Sequence, residues 1–283
     1  MLIETAELEA RLGEAALRII DCNMVFQPRP DGGYEFESGQ SQWRDGHIPG
    51  SVYLDFERHL SAPHPTLRFM MPSAERFARI LGEHGIGDDH QVVVYSRGGN
   101  FWATRLYLMF REYGCDRVSV LNGGWDRWQA EGRVVSQAAP DWPPAVFSPG
   151  PPRGLFVNRD AVAAAMDDPD TCLINALSPE LHSGAKFNPA YGRRGHIPGS
   201  CNLYCMELID PDTRRFLDRD QLADRFGPSR ALQAARVITY CGGGISATTD
   251  AFALLLLGHP QVHVYDGSLT DWGNHPDLPM ATD

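Results

Sequence analysis

The chain repeats itself. The segment "RDGHIPGSVYLDFE" at 44–57 returns as "RRGHIPGSCNLYCME" from residue 193, and "VVVYSRGGNFWATR" at 92–105 faces "VITYCGGGISATTD" at 237–250. A third pair, "LNGGWDRW" at 121–128 and "VYDGSLTDW" at 264–272, follows in the same order, each copy roughly 145 residues after its partner. Matched segments at so nearly constant an offset describe a duplicated domain, not a short solenoid unit. A chain of 283 residues with 43% hydrophobic content has the length and apolar material for two such cores. Between the copies, "QAAPDWPPAVFSPGPPRG" at 137–154 carries prolines at 140, 143, 144, 149, 151 and 152, which neither a helix nor a central strand accepts. The spacing predicts a first domain at 1–136, a semi-rigid extended linker at 137–154 and a second domain at 155–283.

Within each copy, apolar runs of four residues bounded by turn signals read as buried parallel strands: 92–95, 118–121, 237–240 and 262–265. Helix-forming stretches alternate with them. Residues 102–113 end before Gly114, and 247–257 end before Gly258 and Pro260. The alternation predicts an α/β fold in which each domain is a parallel β-sheet flanked by helices, with reactive loops at the carboxyl ends of the strands.

Charge and composition exclude several classes of partner. A net charge of −11, without any run of five basic residues, is unsuited to nucleic acid or an anionic membrane. The opening "MLIETAELEARLGE" lacks the basic and apolar regions of an export signal, and "LLLL" at 254–257 is far too short to span a bilayer. A cytoplasmic location is expected, with the oligomeric state open. Six cysteines spread over this length are too sparse for a disulfide scaffold, so reduced thiols are expected. Cys201 and Cys205 lack both the CxxC spacing and a second ligand pair, so neither a metal nor a cofactor is expected.

One loop carries chemistry. In "TYCGGGIS", Cys241 follows a predicted strand and precedes a predicted helix, with Gly242, Gly243, Gly244, Ile245 and Ser246 between. Glycines let successive backbone N–H groups turn inward, and the helix start adds the positive end of its dipole; both favour a thiolate. The alternative is a flexible turn around an inert cysteine. The equivalent loop of the first copy, Ser96-Arg97-Gly98-Gly99-Asn100, has no thiol. One working site and one retired copy is the simplest account. His47 and His196 recur in both copies and so read as structural, while Trp125, Trp128 and Trp272 read as packing.

These segments, together with "MPSAERFARILGEHGIGDDHQVVVY" at 71–95, "VLNGGWDRWQAEG" at 120–132 and "VYDGSLTDWGNHPDLPM" at 264–280, make nearly the whole chain resemble the tandem-domain rhodaneses. In that family of sulfurtransferases a non-catalytic domain precedes a catalytic one. The resemblance implies a ping-pong reaction through a persulfide on Cys241, with thiosulfate or 3-mercaptopyruvate as donor and cyanide or a thiol as acceptor. It also implies that the amides of residues 242–246 hold the charged sulfur.

The loop departs from the family's patterns. Thiosulfate enzymes commonly place Arg and Lys after the cysteine, where this chain has Gly242 and Gly243; mercaptopyruvate enzymes usually read Cys-Gly-Ser-Gly-Val-Thr, whose serine is Gly243 here. The family's Asp-x-Arg and following arginine fall on Asn175, Leu177 and Leu181, so Lys186, Arg193 and Arg194 are the substitute cations for the donor's charge. Restoring the missing cations with Gly242→Arg and Gly243→Lys is expected to favour thiosulfate. A phosphatase of the same fold would need Cys-x5-Arg, and that place is Ala247. A dithiol redox enzyme would need a second cysteine in the loop. The remaining alternative is a non-catalytic rhodanese-like sulfur-carrier or binding module; many such binding modules have lost the cysteine that this chain keeps.

Overall fold

The four apolar runs become the inner strands of two parallel sheets. The computed structural model describes residues 1–30 and 32–283. Its first half runs β1 (Leu2–Ile3), α1 (Thr5–Ala10), β2 (Leu17–Asp21), β3 (Met24–Pro28), β4 (Tyr34–Ser38), α2 (Gln40–Asp45), β5 (Ser51–Tyr53), α3 (Ala74–Glu83), β6 (Gln91–Tyr95), α4 (Phe101–Glu112), β7 (Val118–Leu121) and α5 (Gly124–Ala130). The second half runs β8 (Phe156–Val157), α6 (Arg159–Ala165), β9 (Thr171–Asn175), α7 (Pro179–His182), β10 (Cys201–Asn202), α8 (Arg219–Phe226), β11 (Arg236–Tyr240), α9 (Ala247–Leu257), β12 (Val262–Tyr265) and α10 (Ser268–Trp272). Strand order is β1-β7-β6-β2-β5 in one sheet and β8-β12-β11-β9-β10 in the other, every pair parallel. Strand for strand the sheets correspond. The antiparallel hairpin β3–β4 belongs to the first half alone.

Residues 137–154 hold neither helix nor strand. Gly114 and Gly258 follow their helices at φ of 80° and 89°, the left-handed turn that only glycine adopts without strain. Helices α4 and α9, buried over most of their length, pack against each other and join the two halves. Thr104 and Thr248 share a hydroxyl contact of 2.8 Å, and the rings of Tyr107 and Phe252 meet edge to face at 4.8 Å.

The repeated histidines are structural. His47 pairs by backbone with Ser136 and His196 with Ala281, and Nδ1 of each contacts a carbonyl, of Trp43 or His182. Trp128 and Trp272 are fully buried, each donating its indole N–H to a carbonyl at 2.9 Å, of Val134 and Pro279. Among the described residues no helix is long and apolar enough to cross a membrane.

Candidate active site

Cys241 stands at the carboxyl end of β11, at the centre of the second sheet, and is 2% exposed. Two hydrogen bonds tie the loop to α10: the Leu269 N–H donates to the Cys241 carbonyl at 3.0 Å and the Thr270 N–H to that of Gly242 at 2.8 Å, joined by the Thr270 hydroxyl at 2.7 Å. Ser268 completes the frame. Its hydroxyl accepts the N–H groups of Cys241 and Gly244, both at 3.1 Å, and donates to the Tyr265 carbonyl at 2.8 Å. To do so it holds φ at 49°, a strained conformation for a side chain, worth about 1 kcal/mol, which its three bonds offset. Sequence reasoning missed Ser268, although it lies within a quoted repeat segment; its counterpart in the first copy, Gly124 at φ 54°, was the available signal.

Gly244 differs from expectation. Its N–H goes to Ser268, and its own place is set by a close approach: at φ 75°, a Cβ there would strike the Asp266 carbonyl. Among the described residues no acceptor faces the N–H groups of Gly242, Gly243, Ile245 and Ser246. Four open donors at the head of α9 form the kind of cradle that receives negative charge. The Ser246 side chain turns to Cys205, a buried thiol that its own desolvation pushes well above the usual thiol range.

The first domain reaches into this site through Arg105 of α4, which is 1% exposed. Its guanidinium donates to Asp266 Oδ1 at 2.6 Å, to the Phe69 carbonyl at 2.7 Å and to the Gly244 carbonyl at 3.2 Å. The Met71 N–H donates to the other Asp266 oxygen at 2.9 Å. The cysteine loop is thus braced from α10 on one side and from the other domain on the opposite side.

Of the cations named from sequence, the two arginines are engaged with backbone carbonyls. Arg193 fills its fork with the carbonyls of Gly273, Leu278, Trp272 and His275. Arg194 donates to the carbonyls of Gly184 and Ala185 and lies 5.1 Å from the Phe187 ring centre, and Lys186 is exposed near Glu180. The residue found beside the loop is Tyr191, whose ring stands over Gly242: a Cβ on Gly242 would lie 2.6 Å from its Cε1 and Cζ. This overturns the expectation for Gly242→Arg, because the place is filled; Gly243 has open space around it.

All six cysteines are free. Cys201 approaches Cys172 at 3.6 Å between sulfurs rather than Cys205.

Residues 4–131 and 159–275 match the family model of the Rhodanese-like domain. The probable 3-mercaptopyruvate sulfurtransferase of Pseudomonas aeruginosa is 31% identical over 286 residues, covering 99% of this chain and 98% of its own. The mitochondrial thiosulfate/3-mercaptopyruvate sulfurtransferase 1 of Arabidopsis thaliana is 32% identical, covering 97% of this chain and 76% of its own. The crystal structure of SseA from Escherichia coli, a 3-mercaptopyruvate sulfotransferase with the rhodanese fold, matches with a TM-score of 0.80 at 28% identity, over 94% of this chain and 98% of that one. The duplicated parallel sheets and these matches along nearly the full length lead to one conclusion: the chain belongs to the tandem-domain rhodanese family and is a sulfurtransferase of the thiosulfate or 3-mercaptopyruvate type.

Proposed function

We propose that Cys241 carries the transferred sulfur as a persulfide, with residues 155–283 as the catalytic domain and 1–136 as its non-catalytic partner in a cytoplasmic enzyme. The thiolate bonds to the outer sulfur of thiosulfate or 3-mercaptopyruvate. The donor's own bond to that sulfur breaks, and sulfite or the pyruvate enolate leaves with the electron pair. A thiol or cyanide then takes the sulfur and restores the thiolate. The open N–H groups of Gly242, Gly243, Ile245 and Ser246 carry this reading: they follow Cys241 directly in the loop, and donors left unpaired there are available to the charge on a carried sulfur. Intact-mass measurement after incubation with each donor tests it. The expected result is a gain of one sulfur that disappears in Cys241→Ser; sulfur retained by that variant would place the carrier elsewhere.

A further inference from the structure

The family's thiosulfate enzymes keep a cation directly after the cysteine, and in this chain that place is closed by an aromatic ring. We propose that Tyr191 selects the sulfur donor, its ring barring a side chain at 242 and its hydroxyl offering the leaving group a neutral hydrogen bond in place of a cation. The proposal rests on Cys241 as the sulfur carrier.

The backbone turn that carries Tyr191 is tied to the site. It ends a short 3-10 turn, Pro189–Tyr191, in which the Asn188 side chain accepts the Ala190 N–H at 3.0 Å. The turn is bolted to the end of α10. Asn274 donates to the Ala190 carbonyl at 3.1 Å, and Arg193 grips the carbonyls of Trp272 and Gly273. Gly192, at φ 70°, passes so close that a Cβ would lie 2.7 Å from the Gly273 carbonyl. Because the start of α10 is bonded to Cys241 and Gly242, the turn bearing Tyr191, the helix and the cysteine loop are linked by one set of hydrogen bonds. The role found for Arg193 is to hold this turn.

The hydroxyl is suited to donate. Tyr191 is 9% exposed, and burial together with the neighbouring Cys241 sulfur pushes its pKa upward, so that it stays protonated at any working pH. The two donors ask for different help. When the Cys241 thiolate bonds to the sulfur of 3-mercaptopyruvate, the carbon–sulfur bond breaks, its electron pair becomes the pyruvate enolate, and a solvent proton on carbon completes pyruvate. The thiol hydrogen leaves from the outer persulfide sulfur to solvent. An enolate oxygen needs one good hydrogen bond, which a phenol supplies. Sulfite leaving thiosulfate is a dianion, better served by a guanidinium at 242.

The test compares kcat and KM for both donors, with cyanide as acceptor, in the wild type, Tyr191→Phe, Gly242→Arg and Tyr191→Ala/Gly242→Arg. Tyr191→Phe keeps the ring and is expected to lower kcat for 3-mercaptopyruvate by about tenfold or more while changing thiosulfate turnover by less than about threefold. Gly242→Arg alone should impair both donors, and the double variant should shift the donor ratio toward thiosulfate by about tenfold. An unchanged ratio in Tyr191→Phe, or an equal loss on both donors, overturns the proposal while leaving the Cys241 persulfide intact. A wild type that takes sulfur from neither donor removes the persulfide reading and this proposal together.

Discussion

In the first domain the loop after β6 opens with Ser96, and several of its polar groups find partners within that domain. The Ser96 hydroxyl donates to the Gly99 carbonyl at 2.7 Å, and the Gly98 N–H donates to the Asp126 carboxylate at 2.9 Å. Arg97 donates to Asp21 at 3.4 Å and to the Gly46 carbonyl at 2.6 Å, with Trp125 stacked 4.3 Å away. In the second domain Asn175 stands for Asp21 at the strand end, each paired across the sheet with a tyrosine, and Thr270 stands for Asp126. Thr270 holds a carbonyl rather than an amide, which leaves the loop's N–H groups open. The first copy therefore differs by more than a thiol. A carboxylate lies against its loop, so an incoming anion would meet repulsion where the other loop offers donors.

The largest effect expected from this difference concerns a graft. In a Cys241→Ser background, Ser96→Cys should leave sulfur transfer about 10³-fold or more below wild type, because Asp126 still occupies the cradle. Adding Asp126→Thr should allow mass spectrometry to detect a persulfide at position 96. Recovery of turnover by Ser96→Cys alone would mean that the thiol was all the first domain lacked.

A second asymmetry links the domains. Each strand-end polar residue, Asn122 or Asp266, accepts an N–H from the opposite domain, from Phe216 or Met71, both at 2.9 Å. Among the described residues, only the side chain of Asp266 also receives a guanidinium, that of Arg105. At the position on α9 corresponding to Arg105 lies Asp250, fully buried with no partner for either oxygen, and desolvation raises its pKa well above the usual carboxylate range. Replacing Arg105 with Met should strand Asp266, which is 8% exposed, and lower stability by about 3–5 kcal/mol. Denaturant unfolding measures that loss. Persulfide formation should fall as well, since the Gly244 carbonyl loses its brace. An equal effect from Asp250→Asn would show that the two helices are energetically alike.

Sequence alone located what is continuous in the chain. The strands Val118–Leu121 and Val262–Tyr265 and the helix Ala247–Leu257 fall at the expected residues, because unbroken apolar runs and terminal glycines leave few alternatives. β2 and β9 escaped notice. They bury Arg18, Asp21 and Asn175, which interrupt the apolar pattern, and Arg18 is held inside by the Gly85 carbonyl at 2.8 Å and the Trp142 ring at 4.0 Å. The hairpin β3–β4 has no second copy to mark it. At the site, Cys241 and its glycines were legible because they are adjacent. Tyr191, Arg105 and Ser268 were not: each arrives from another element, and only the folded chain shows that Gly242 is small because Tyr191 is present.

The smallest contrast lies behind the repeated histidines. Trp43 stacks on His47 with ring centres 4.2 Å apart, and at the matching place His182 stacks on His196 at 3.9 Å, each pair within 10° of parallel. His182 is 7% exposed with an unpartnered Nδ1, and burial, followed by the neighbouring His196, pushes its pKa down to about 4 despite Asp283 at 3.9 Å. The unfolded chain therefore binds this proton from about pH 6.5 downward, whereas the folded chain binds it only near pH 4. Stability present above pH 6.5 is lost as pH falls through that interval, on the order of 3 kcal/mol in all and about 2 kcal/mol of it by pH 5. Thermal unfolding at pH 7.5 and pH 5 should show this loss in the wild type and a smaller one in His182→Phe, which keeps an aromatic ring on His196 as Trp43 does on His47. An equal loss in both proteins would assign the acid sensitivity to other groups. A reduced loss would assign the acid sensitivity to the titratable ring that the second domain holds where the first has tryptophan.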